Sequence, residues 1–102
     1  MVKSKRKIGW DKEALDHFKE SILYIKKLSP KNSEKVKKDI LKKINKLVDK
    51  PEIYPPDKYK SDNNGNYYRA FELHRFRISY LVKDEMIIIA RFQHTSQEPF
   101  NY

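Results

Sequence analysis

Apolar residues recur at helical spacing through the first half of the chain and at every second position through its last third. Over residues 11–28, Ala14, Phe18, Ile22 and Ile25 form one stripe, widened by Leu15, while Lys12, Glu13, Lys19 and Lys26 face outward. Ser29-Pro30 interrupts the pattern and restarts it, because Ser suits an N-cap and Pro the first helical position. The second helix has the clearest pattern. Val36, Ile40, Ile44, Leu47 and Val48 make one apolar stripe, and Lys35, Lys37, Lys38, Lys42, Lys43 and Lys46 cover the other sides. Pro51 ends it, since a Pro ring cannot continue a helix. Two helices on so short a joint predict an antiparallel hairpin.

Residues 51–66 read as a connector. Pro55-Pro56 and then Asp62-Asn63-Asn64-Gly65 are turn chemistry, and Lys58 and Lys60 make the segment basic. From residue 67 the period becomes two, and strands are expected over 67–73, 76–83 and 86–94. His74-Arg75 and Asp84-Glu85 are the natural hairpin tips. Residues 5–10 can add a short edge strand after a basic arm over 1–7, and residues 97–102 form a polar tail. Helices followed by an antiparallel sheet predict an α+β fold. Its expected form is one domain over residues 1–102, with the helical hairpin packed on one face of a small, mostly antiparallel three- to four-stranded sheet.

Regular pairing of the two β-hairpins assigns each side chain a face. Leu73 should oppose Phe76, Glu72 Arg77, Phe71 Ile78, Val82 Ile87, Tyr80 Ile89 and Arg77 Phe92, with Arg75 near His94. The helices would then cover Phe71, Leu73, Phe76, Ile78, Tyr80, Val82, Ile87 and Ile89. The opposite face would show Glu72, Arg75, Arg77, Ser79, Ala90, Phe92 and His94, grading into Leu81 and Ile88. A one-residue bulge would exchange the faces beyond it.

Composition narrows the chemistry. The chain has no Cys, so disulfides and thiolate metal sites are out, and His17, His74 and His94 lack metal-ligand spacing. Neither a metal nor a cofactor is expected. No apolar run approaches the roughly 20 residues of a membrane span, and the first residues lack the apolar stretch of a secretory signal, so a cytoplasmic protein is expected. Lys and Arg number 23 against 14 Asp and Glu, a net charge of +9. That field suits RNA, DNA or an acidic protein segment, although a lysine-rich surface also serves solubility.

The run YYRAFELHRFRISYLVKDEMIIIARFQHTSQEPFNY resembles the C-terminal half of the RelE/ParE toxins of type II toxin–antitoxin pairs. Arg69 matches an Arg that opens one strand of that family, and Arg77 with Tyr80 matches its Arg-x-x-Tyr strand. His94 matches a His after the last strand, and Tyr102 a terminal Tyr at longer spacing. The order of helices and the chain length agree, so the resemblance covers nearly the whole chain. It implies one fold with two activities. RelE-like members are ribosome-dependent mRNA endonucleases, and ParE-like members poison DNA gyrase without a nuclease site. It also implies an acidic antitoxin partner that covers the basic cleft, with a toxin that is monomeric alone and hetero-oligomeric with its antitoxin.

For the nuclease, the resemblance implies metal-free attack of a ribose 2′-OH on the adjacent phosphate, helped by an acid, a base and cations. Arg77 would hold the phosphate through its planar fork, or else pair across the strands with Glu72. His94 would be acid or base near neutrality. Glu72 would be the base, and Tyr102 would stack on a nucleobase or orient the phosphate. Arg69, Arg75, Lys58, Lys60 and Phe92 would contact the nucleic acid. Departures are visible: Tyr68 and Ala70 stand where the most active RelE-like proteins carry Lys, and Thr95 or Ser96 stands where they have a basic residue. In a His-based variant of the site the carboxylate comes from an earlier segment, here Glu52 or Asp57. Ribosome-dependent mRNA cleavage is therefore the first expectation. A gyrase-directed toxin and a non-catalytic nucleic-acid-binding module are the alternatives.

Overall fold

The computed structural model describes residues 6–97 and 101–102, so residues 1–5 of the basic arm and 98–100 of the tail lie outside the description. The order is β1 (Lys7–Trp10), α1 (Lys12–Leu28), α2 (Pro30–Lys46), a 3-10 turn (Asn64–Asn66), β2 (Tyr68–Leu73), β3 (Phe76–Val82) and β4 (Met86–His94). One residue joins the helices. Ser29 is extended, its N–H closes α1 on the Ile25 carbonyl at 2.8 Å, and its hydroxyl accepts from the Asn32 N–H at 3.2 Å to open α2. It ends one helix and caps the next, so the chain reverses without a loop.

The strands form one sheet in the order β1-β4-β3-β2. β2–β3 and β3–β4 are antiparallel hairpins, while β1 joins the far edge parallel to β4, so the sheet is mixed. One side meets the helices. Ala14 and Phe18 from α1 and Val36, Ile40 and Ile44 from α2, with Leu47 just after it, pack against Phe71, Phe76, Ile78, Tyr80, Val82, Ile87, Ile89 and Phe92. Ile40, Ile78, Tyr80, Ile87 and Ile89 are fully buried. The Tyr80 hydroxyl escapes the cost of burial by donating to the Pro51 carbonyl at 2.7 Å, and that apolar site pushes its pKa up to about 12.

The β2–β3 pairing is the expected one, with Leu73 opposite Phe76, Phe71 opposite Ile78 and Glu72 opposite Arg77. Its tip places His74 and Arg75 in the left-handed region at φ 53° and 67°, which two-residue hairpins require and non-glycine residues resist. His74 is held there by Asp39 of α2, at 2.8 Å.

The β3–β4 pairing departs from expectation halfway along. Val82 opposes Ile87 and Tyr80 opposes Ile89, but Ser79 opposes Arg91, so Ala90 is the extra residue of a bulge. Beyond it the faces exchange. Arg77 opposes Gln93 instead of Phe92, Phe92 opposes Ile78, and His94 opposes Phe76. Phe92, expected on the open face as a nucleic-acid contact, is a core residue, stacked on Phe76 at 4.7 Å and edge-on to Phe18 at 5.3 Å. The bulge exists because Phe92 has an apolar site to fill there, while Arg91 keeps its charge on the polar side.

A clasped polar face as the candidate functional site

The side of the sheet away from the helices is closed by the chain's own connector and tail. The connector runs along β2: Arg69 donates to the Tyr54 carbonyl at 2.6 Å, the Ala70 N–H to Pro55 at 3.3 Å, and the Asp57 N–H to Tyr68 at 2.9 Å. These bonds cover the outer edge of β2 and bring Asp57 over the middle of the face. Asn63 then pairs with the N–H and carbonyl of Tyr68 at 3.0 and 2.9 Å, starting the strand.

Asp57 is the hub of this face, and its side chain is fully buried. One oxygen takes Arg77 at 2.8 Å and the Tyr59 N–H at 3.0 Å, and the other takes the Tyr102 hydroxyl at 2.6 Å. Ser79, itself buried, lies beside it and favours its charged form. Burial alone would raise the pKa of this carboxyl. The bonds from Tyr102, Arg77 and Tyr59, with the nearby Ser79, more than offset that, and Asp57 is held below the ordinary carboxylate range. Burial and the neighbouring carboxylate push the Tyr102 phenol well above its usual value, so it stays a donor.

The cations are similarly occupied. Arg77 spends one arm on Asp57 and another on Glu72 at 3.3 Å, and its plane lies 4.8 Å from the Tyr59 ring centre. Arg91 stacks on Tyr102 at 4.3 Å, and Lys60 reaches the rings of Tyr68 and Tyr102 and the main-chain oxygens of Ser61 and Tyr102. The Tyr102 N–H donates to Tyr59 at 2.9 Å and the Ser61 N–H to Tyr102 at 2.6 Å, so the tail is tied by main chain as well as by side chain.

The residues singled out from the sequence are therefore divided. Arg77, Glu72 and Tyr102 gather around Asp57, together with Lys60. Arg69 secures the connector. Lys58 is exposed beside Tyr59 at 5.3 Å, and Arg75 is exposed at the hairpin tip. Glu52 is exposed and outside the cluster. His94 ends β4. Its ring meets Phe76 edge-on at 5.3 Å and borders a groove of about 540 Å³ with Tyr24, Ile25, Val36, His74 and Arg75, between the helices and the hairpin tip. It also lines a recess of about 290 Å³ together with Tyr59, Glu72, Arg77 and Gln93. The Ser96 N–H, which can only donate, reaches His94 Nδ1 at 3.0 Å, so the neutral ring carries its proton on Nε2. The bulge sets His94 opposite Phe76 and Arg77 opposite Gln93, and both side chains line the one recess.

Sequence reasoning named Asp57 as one of two carboxylates from an earlier segment, and it did not see Tyr59, Ser79 or Arg91 as parts of the cluster. Only the Ser at the centre of a β-branched and aromatic strand hints at a buried polar layer. Among the described residues no cluster of His, Asp and Glu could hold a metal ion, and no helix is long and apolar enough to cross a membrane.

The helical hairpin on one side of a β1-β4-β3-β2 sheet has a counterpart among solved structures. A chain in the structure of a chromosomal ParDE toxin–antitoxin system from P. aeruginosa aligns with a TM-score of 0.69, covering 88% of this chain and 96% of its own. At 18% identity that likeness concerns the fold. A comparison with curated proteins finds no match. The sequence model of the ParE toxin of type II toxin–antitoxin systems (parDE) matches residues 8–99. This chain belongs to the ParE toxin family.

Proposed function

We propose that the protein is the toxin of a two-protein module, silenced by an acidic antitoxin, and that it disables DNA gyrase by binding it and leaves mRNA intact. The observation that carries this reading is the bulge at Ala90, which turns His94 toward Phe76 and leaves Arg77 opposite Gln93. Arg77 is committed to Asp57 and Glu72, so a phosphate would have to displace two carboxylates to reach it. Asp57, already accepting from Arg77, Tyr102 and the Tyr59 N–H and with its pKa lowered, is a poor proton acceptor near neutrality. The net charge of +9 suits an acidic partner.

Messenger cleavage keeps one observation in its favour: Arg77 and His94 line one recess. The test is to give the purified protein to gyrase supercoiling reactions and to translating ribosomes in parallel. Loss of supercoiling with intact message is expected; cleaved message with normal supercoiling would overturn the gyrase reading.

A further inference from the structure

α2 carries seven of the chain's lysines and only two carboxylates, Glu34 and Asp39. The distribution around the helix matters more than the sum. At about 100° per residue, Lys31, Lys35, Lys38, Lys42 and Lys46 fall within an arc of about 80° directly opposite the buried Val36–Ile40–Ile44 stripe. They form the outermost crest of the hairpin, and all five are exposed. The ion pairs of His74 with Asp39 and of Arg77 with Asp57 and Glu72 do not involve them, although Asp39, beside the crest, feels the charges of Lys35 and Lys38. Successive members are three or four residues apart, where like charges work against the helix. Glu34 and Asp39 flank the crest at that spacing, and two carboxylates leave most of its five positive charges uncompensated.

We propose that this crest is a docking surface for the phosphate backbone of duplex DNA, read without regard to sequence. From Lys31 to Lys46 the crest runs about 22 Å, enough to reach about four successive phosphates of one strand before the strand winds away around the duplex. No aromatic residue lies on the crest to stack a base, which disfavours single strands. The opposite face of α2 is in the protein core, which leaves no apolar face to enter a lipid surface. The crest lies on a different surface from the Asp57 cluster, and the inference does not depend on gyrase being the target.

Anisotropy titrations of the full chain against a fluorescent 30-base-pair duplex, at salt concentrations from roughly 50 to 200 mM, test it. The expected slope of log affinity against log salt is about −3 to −4.5, from about 0.9 per phosphate contacted. Lys35→Gln, Lys38→Gln and Lys42→Gln together should weaken binding at least tenfold and flatten the slope by about 2 to 3. A control triple, Lys19→Gln, Lys26→Gln and Lys27→Gln, removes the same charge from α1 and should leave the slope within about one unit of the unsubstituted protein. Circular dichroism confirms that each triple is folded. Equal losses in both triples would reduce the effect to net charge and overturn the proposal. So would an affinity for polyglutamate or single-stranded DNA that equals the duplex value, or no duplex binding at the lowest salt.

Discussion

The two sides of the sheet are held by different physics. Toward the helices, Ile40, Ile44, Ile78, Ile87, Ile89 and Phe92 exclude water through shape and area, and the buried hydroxyls of Tyr80 and Ser33 are satisfied by the Pro51 and Pro30 carbonyls. Toward the connector and tail, a single carboxylate organises an arginine, a serine, a tyrosine and a main-chain N–H. The apolar side tolerates imprecision, because any side chain of suitable volume contributes. The polar side does not, since losing one member leaves the others buried and unpaired. A toxin that keeps its polar face closed by its own tail has little free guanidinium there to spend on phosphate chemistry.

This contrast can be broken at its seam. Deleting Ala90 removes the bulge and forces either Phe92 out of the core or Arg91 into it. The expected loss is at least about 3–5 kcal/mol, comparable to removing a core Phe, and circular dichroism with urea denaturation would show it. Retention of the native midpoint would mean that the bulge does not set the faces.

Asp57→Ala should follow, at about 3–5 kcal/mol, because Arg77 and the Tyr102 hydroxyl lose their buried acceptor. Ile40→Ala should cost about 2–5 kcal/mol on the other side. Acid separates the two. The Asp57 carboxyl is lower in the folded state than in the unfolded chain, so its contribution is complete above about pH 4 and is lost as pH falls through the lowered value. The penalty of Asp57→Ala should therefore shrink in acid, while that of Ile40→Ala should keep its size. Parallel behaviour of the two variants from neutral pH to about pH 3 would show that the polar cluster adds no charge-dependent stability.

Tyr102→Phe removes one donor to an ionised acceptor and should cost about 1.5–3 kcal/mol, with faster proteolysis of the tail as a second readout. His94→Ala should be smallest, within about 1.5 kcal/mol, since the ring offers an edge contact to Phe76 and bonds to Ser96. In growth assays, His94→Ala should stay toxic under the gyrase reading. Loss of toxicity in a folded His94→Ala protein, with normal supercoiling in the cells, would return the site to messenger cleavage.

The local level of this structure is written plainly in the chain. The stripes of α1 and α2, the cap at Ser29, the tip at His74-Arg75 and the pairing of Glu72 with Arg77 all follow from spacing and turn chemistry. Those are properties of neighbours in sequence, and regular pairing propagates them correctly until the pairing is interrupted. The bulge at Ala90 was foreseeable only as an option, because the residues around it, Ile88 to Phe92, pair acceptably in either register. Packing decided: Phe92 gains a site between Phe18 and Phe76, and Arg91 meets Tyr102 on the other side. The same holds for Asp57, which lies 20 residues from Arg77 and 45 from Tyr102. No local rule ties groups so far apart; only the closed sheet, the connector laid along β2 and the returning tail bring them within bonding distance.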